Sequence, residues 1–263
     1  MKKIIECVPN FSEGRDLQKV EKIVQCFRAK DGVKLLDYSS DADHNRSVVT
    51  VIGEPEGLGM AVVEAIATAV EIIDMTKHQG QHPRMGAVDV VPFIPIKNTT
   101  LDDVDKLAKD VAEKASELCK LPFILYEESA SAPHRRNLAA IRKGEFEAMG
   151  DKLKTKKWHS DYGPSGVHPT AGVTAIGARM PLVAYNIKLD TDDLGVAKDI
   201  AKMIRHSSGG FKYCKAMGVD LKDRAIVEVS MNLTDYNKTA IYRVFETVKM
   251  ECRRYGVNIL GSE

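Results

Sequence analysis

No stretch of this 263-residue chain approaches the roughly eighteen consecutive apolar residues that a membrane-spanning helix needs. Excess charge is also missing: 38 Lys and Arg against 37 Asp and Glu leave a formal net charge of +1. That balance excludes the clustered positive field of a general nucleic-acid binder, while leaving room for a local basic pocket for a carboxylate or phosphate. The five cysteines, Cys7, Cys26, Cys119, Cys214 and Cys252, are scattered, odd in number and never spaced C-x-x-C. They read as reduced thiols of a cytosolic protein. The opening Met1-Lys2-Lys3-Ile4-Ile5-Glu6 has no apolar h-region, so no signal peptide is expected. What is plentiful is core material, with 44% hydrophobic and 29% charged residues, enough for one large domain or two of ordinary size.

Taken in order, the pattern alternates between the two periods. Ile4 to Val8 reads as a short strand stopped by Pro9-Asn10. Ser12, Gly14 and Asp16 offer cap and turn chemistry for a helix over 17–27, with Leu17, Val20, Ile23, Val24 and Phe27 at three- and four-residue spacings. Strands follow over 33–38 and 47–52, separated by the polar stretch 39–46. A helix over 57–75 carries Val62, Ile66, Ala69, Val70 and Ile73 on one stripe. The next strand, 87–91, is expected to be irregular or at an edge beyond Val91 because of Pro92 and Pro95.

That order is β-α-β-β-α-β, the split βαβ pattern of a ferredoxin-like unit. After a helix over 101–118 and an added strand over 123–126 comes a polar, basic excursion, 129–160. It holds a helix near 144–153 and a Lys-rich cluster over 152–157 that reads as a solvated face. The same order then returns: strand 182–187, helix 192–204 with Thr191 as N-cap, strands 211–217 and 225–232, helix 239–252 and strand 257–260. The fold class is therefore α+β, with two ferredoxin-like subdomains joined near residue 180.

Between the second helix and the strand at 87 lies Lys77-His78-Gln79-Gly80-Gln81-His82-Pro83-Arg84-Met85-Gly86. A connection that only turned the chain would not need so many hydrogen-bonding groups, and loops on rigid elements are where catalytic groups sit. His82 is the side chain most easily poised to move protons near neutral pH; as a bare residue it reads equally well as a turn or C-cap histidine. His78 and His82 stand four apart, a zinc-ligand spacing on a helix, but Gly80 and Pro83 oppose a helix and no third ligand accompanies them. Arg84 and Arg46 read either as surface charges or as forks for a substrate carboxylate. Segment 163–172, with three Gly and two Pro in ten positions, must be a loop; it lacks a phosphate-loop signature, yet lets backbone amides approach a flat ligand.

Longer motifs narrow the reading. Glu6-Cys7-Val8-Pro9-Asn10-Phe11-Ser12-Glu13-Gly14 resembles the N-terminal signature of the glutamate formiminotransferase family. So do Asn45-Arg46 ahead of a strand, His82-Pro83-Arg84-Met85-Gly86, Asp89 with Pro92-Phe93-Ile94-Pro95, and the final Gly261-Ser262; 161–172 resembles the family's folate-binding loop. The resemblance runs almost from end to end. It implies an N-terminal subdomain over residues 1–180, holding the catalytic histidine and the folate loop, and a C-terminal subdomain over 181–263. A monofunctional form is expected, without the cyclodeaminase domain fused on in animal relatives.

The implied activity is transfer of the formimino group from N-formimino-L-glutamate to tetrahydrofolate, giving 5-formiminotetrahydrofolate and L-glutamate in histidine degradation. His82 matches the family's catalytic histidine, expected to serve as general base and then general acid. Gly163, Pro164, Ser165, Gly166, Val167, His168, Pro169, Thr170, Ala171 and Gly172 match its folate-contacting segment. Asn10, Asp37, Asn45, Arg46 and Arg84 are candidates for substrate binding, the two arginines for carboxylates. No metal and no tightly bound cofactor are expected, since tetrahydrofolate is itself a co-substrate. A cytoplasmic homodimer with small-molecule partners is expected.

Two alternatives stay open: formyl transfer between 5-formyltetrahydrofolate or N-formylglutamate and glutamate, and a folate-binding protein without turnover. The resemblance leads one to expect an acidic residue in animal relatives where this chain has Ser39, with Asp41 and Asp43 close by. His168 reads as a second proton-handling group or as a loop hydrogen-bonder.

Overall fold

Asp16 begins the first helix as its side chain foretells, accepting from the amides of Gln18 and Lys19. The computed structural model describes residues 2–221 and 225–263 and divides into two units, Met1–Arg179 and Met180–Glu263.

In the first unit the elements run β1 (Ile4–Cys7), β2 (Asn10–Phe11), α1 (Leu17–Gln25), β3 (Val33–Asp41), β4 (Arg46–Gly53), α2 (Pro55–Ile72) and β5 (Val88–Lys97). Pro9 breaks what would be one strand into β1 and β2, and both pieces pair with β4 on one side and β5 on the other. β3 pairs with β4 at the edge. α3 (Leu101–Cys119) starts at a capping box in which Thr100 and Asp103 exchange hydrogen bonds. It leads to β6 (Phe123–Leu125), and the excursion returns through α4 (Leu138–Arg142) and α5 (Glu145–Lys152) to β7 (Thr174–Ala178). β7 lies parallel between β5 and β6, giving a seven-stranded sheet.

Alternate strand residues feed two cores. Phe123, Leu125 and Ile176 join Val24, Leu58, Ile66, Val104 and Val111 beneath α1, α2 and α3. Ile124, Ala175 and Val90 join Met85, Ile141 and Met149 beneath α4 and α5. The excursion is thus a second covering layer.

Several elements differ from the sequence reading. β5 continues through Pro92 and Pro95 inside the sheet. The Pro92 carbonyl accepts from Val8 N, where the neighbouring strand is interrupted, and the Phe93 carbonyl accepts from Arg179 N on the β7 side. By strand alternation Pro95 also faces that side, beyond the last β7 pairing at Phe93–Ala178, so neither proline removes a needed donor. β3 runs on through Ser39, Ser40 and Asp41, which pair with Val48, Ser47 and Arg46.

β7 carried little strand signal because Gly177 sits in its middle; a Cβ there would stand 2.3 Å from the Tyr126 carbonyl. Lys152 is not on a solvated face. Its ammonium donates to the carbonyls of Ala140, Ile141 and Lys143 and lies 4.5 Å above the Trp158 ring, closing the C-terminal end of α4. Burial lowers its pKa.

The second unit runs β8 (Val183–Leu189), α6 (Leu194–Ile204), β9 (Cys214–Leu221), β10 (Ile226–Leu233), α7 (Ile241–Arg254) and β11 (Ile259–Ser262). Its antiparallel sheet has the order β11-β8-β10-β9. Ile187, Val227, Val229 and Leu233 pack on Ile200, Ile204, Val244 and Val248 of the two helices. Asp193, rather than Thr191, caps α6 by accepting from Gly195 N at 2.7 Å. Both units are α+β and contain the β-α-β-β-α-β order.

Candidate active site

The segment between α2 and β5 is a loop held from two sides. On one side is the β3–β4 hairpin. Asn45, buried and at φ +49°, gives its side-chain amide to the Gln79 carbonyl at 3.0 Å, and its own carbonyl meets His78 Nε2 at 2.9 Å. Gln81 N donates to the Asp43 carbonyl at 3.1 Å. Gly80 lies so close that a Cβ would stand 2.3 Å from the His44 carbonyl. On the other side is segment 167–173: Met75 N donates to Thr170 O at 2.7 Å, Ala87 N to Ala171 O at 2.8 Å and Val173 N to Met85 O at 3.0 Å. Much of the polar equipment read from the sequence therefore fixes the loop itself.

His82 is the exception. Its half-buried ring lines a cleft of about 380 Å³ together with Ser39, Ser40, Asp41, His44, Arg46 and Val48. Burial above all, then the charges of Arg46, Arg142 and His44, lower its pKa from 6.5 to about 3. In this cleft the imidazole is therefore neutral at physiological pH, with a lone pair available to accept a proton.

Behind the cleft lies a buried charge cluster. Arg142, the last residue of α4, reaches Asp89 Oδ2 through Nη2 at 2.5 Å, and Asp89 Oδ1 accepts from Met85 N at 3.0 Å. Arg46 bonds the Asn10 side-chain oxygen. Burial pushes the Asp89 carboxyl up, with Arg142 opposing, and it pushes the Arg46 guanidinium down, with Asp89 opposing. Among the described residues the Nε atoms of Arg46 and Arg142 have no hydrogen-bond partner. Within this cluster two guanidiniums face the single carboxylate of Asp89, while Asp41 places a second carboxylate on the cleft wall. Guanidiniums beside a neutral imidazole are groups suited to pairing with a substrate carboxylate.

The expected site residues are thus partly assembled. His82 and Arg46 share the cleft, with Asn10 behind them. Asn45 is a structural hub that also accepts from Gly14 N at 2.9 Å. Asp37 is exposed on β3 and is not among the cleft-lining residues. Arg84 faces a different, larger cavity and is already occupied, forking onto Glu147 at 2.7 and 2.9 Å, reaching Glu145 at 2.8 Å and pointing Nε at His78 Nδ1 at 3.3 Å. His78, with both ring nitrogens engaged, does not converge with His82. No group of three or more metal-ligating side chains occurs among the described residues.

In the 163–172 loop, Gly163, Pro164, Ser165, Gly166 and Pro169 are exposed, and nothing lies within 4 Å of a Cβ built on Gly166. Val167 is half-buried against the second core. His168 Nδ1 accepts from Ala171 N at 2.9 Å, so this histidine is a loop hydrogen-bonder. Ala171 is fully buried and Gly172 is pressed against Gly86, so these two secure the loop to the His82 segment. The sequence reading missed Arg142 and gave no role to Asp89. They lie 53 residues apart, and no spacing rule links an excursion helix to a central strand.

Residues 4–179 match the Formiminotransferase domain, N-terminal subdomain, and residues 184–263 match the Formiminotransferase domain. A glutamate formimidoyltransferase of Streptococcus pyogenes is 54% identical over 263 residues, covering 100% of this chain and 88% of that one. One from Thermoplasma acidophilum is 44% identical over 262 residues, covering 99% and 86%. The formimidoyltransferase-cyclodeaminase of Rattus norvegicus is 38% identical, and the match spans all of this chain and 50% of that protein. No helix among the described residues is long and apolar enough to cross a membrane. Matched along nearly its whole length, the chain belongs to the formiminotransferase family and is a transferase of the formimidoyl group.

Proposed function

We propose that the protein transfers the formimino group of N-formimino-L-glutamate to N5 of tetrahydrofolate, releasing L-glutamate, with His82 as the proton-transfer group. The observation that carries this reading is the neutral, half-buried His82 imidazole in a cleft that also holds Arg46 and is backed by Arg142. When N5 attacks the formimino carbon it becomes strongly acidic, so even a weakly basic imidazole can take its proton. Expulsion of the glutamate nitrogen then requires a proton in return. A positioned acid–base group is worth about 10²- to 10⁴-fold, and holding both substrates together supplies much of the remaining acceleration.

In this reading the Arg46 guanidinium, backed by Arg142, receives a carboxylate of the donor. The exposed backbone of 163–166 lies along the folate. Tetrahydrofolate is consumed as a substrate, so no tightly bound cofactor is called for. A cytoplasmic homodimer goes with this reading, and sedimentation of the purified protein tests the assembly.

Side-by-side assays test the donor, with acid conversion of the product to the methenyl form reporting the transferred carbon. The reading expects turnover with formiminoglutamate. Turnover only with formyl donors, or folate binding without turnover, would overturn it.

A further inference from the structure

A second imidazole stands in the cleft, and the steps above leave it unused. His44 closes the β3–β4 hairpin, and Asp41 holds it twice. The His44 backbone N–H donates to Asp41 Oδ1 at 2.8 Å, and His44 Nδ1 lies 2.8 Å from Asp41 Oδ2. The turn needs only the first contact, which any residue but proline at position 44 would supply through its amide. The second is specific to histidine: Nδ1–H on a carboxylate fixes the tautomer and the ring plane and leaves Nε2 for other chemistry. The His44 ring meets the His82 ring edge to face, with centroids 6.2 Å apart and planes at 68°.

The other groups lining the cleft do not readily take up or release protons at neutral pH. Arg46 stays charged, Ser39 and Ser40 are hydroxyls, and Val48 is apolar. Hydrogen bonds from His44 pull the Asp41 carboxyl below its usual range, so it stays ionised.

We propose that His44, oriented by Asp41, is a second catalytic residue of the transfer: it protonates the departing glutamate nitrogen while His82 takes the proton of N5. The inference rests on the formimino-transfer reading. His44 enters as the imidazolium held on Asp41. The bond from N5 to the formimino carbon forms as the N5 proton passes to a ring nitrogen of His82. The bond from that carbon to the glutamate nitrogen then breaks, and its electron pair takes the Nε2 proton of His44. One proton is gained and one given up, and passage of a proton from His82 to His44 through solvent restores both rings. Asp41 acts through His44 and is a positioning residue.

The test compares His44→Gln, Asp41→Asn and the double variant in the formiminoglutamate and tetrahydrofolate assay. His44→Gln keeps the backbone N–H that closes the turn, and Asp41→Asn keeps an acceptor for it. His44→Gln is expected to lower kcat on the order of 10²-fold with both KM values essentially unchanged. Asp41→Asn should lower kcat by less, and the double variant should be no slower than His44→Gln, because the two act as one unit. Free imidazole should restore part of the turnover of His44→Ala. Wild-type kcat in His44→Gln, or a rise in KM alone, would overturn the proposal while leaving formimino transfer intact. Absence of transfer in the unsubstituted protein would overturn the reading beneath it, and the same assay shows which has failed.

Discussion

Arg142 Nη2 stands 2.5 Å from Asp89 Oδ2, and the other oxygen of that carboxylate holds Met85 N at 3.0 Å. One buried carboxylate thus ties the excursion helix to the loop that presents His82.

Asp89→Asn leaves the Arg142 charge buried without its counter-ion. The expected cost is about 3–5 kcal/mol of stability. Denaturant unfolding of the variant measures it, and an unchanged midpoint would show that the pair holds nothing together.

His82 should show an unusual acid titration. Its folded pKa is lowered to about 3, whereas an unfolded histidine titrates near 6.5. Below about pH 6.5 the unfolded chain takes up a proton that the folded site refuses. The stability contributed by this site is therefore complete above that pH and is lost as pH falls toward about 3. Imidazole C–H shifts followed by NMR should show His82 neutral at pH 5. Arg142→Ala should move its midpoint upward, since one of the opposing charges is gone.

The sequence made the element order legible because apolar periodicity was strong in α1, α3, α6 and α7 and a cap such as Asp16 was explicit. It hid β7, whose Gly177 is there to let a backbone pass, and it misread Pro92 and Pro95, whose tolerance depends on where neighbouring strands end. At the site, His82 and Arg46 were visible as residue types next to strands. Arg84 looked equally available, because a sequence cannot show that Glu145 and Glu147 already fill its fork. Arg142 was unreadable for the same reason: its meaning lies in a tertiary contact.

The two arginines read as carboxylate forks should separate cleanly. Arg84→Ala removes charge-assisted hydrogen bonds to Glu145 and Glu147 and should cost about 1.5–3 kcal/mol, leaving the donor KM nearly unaltered in protein that remains folded. Arg46→Ala should raise the donor KM. Steady-state kinetics beside thermal melts of both variants check the contrast, which fails if Arg84→Ala raises the donor KM as much.

Gly86→Ala tests the junction between the His82 segment and the 163–172 loop. A Cβ there would stand 2.3 Å from the Val173 carbonyl and 2.8 Å from that of Ala171, and backbone cannot swing aside. A loss of about 1–3 kcal/mol is expected, with weaker folate binding by titration. A variant as stable as the parent would mean the two segments are not locked at this point.

The most direct test of the central claim is formimino transfer by His82→Ala beside the unsubstituted protein, with circular dichroism on both. A fall of about 10²-fold or more in kcat with the spectrum unchanged is the predicted result, because His82 lines the cleft and lies outside the buried cores. Transfer at the parent rate by a folded His82→Ala protein would contradict the account.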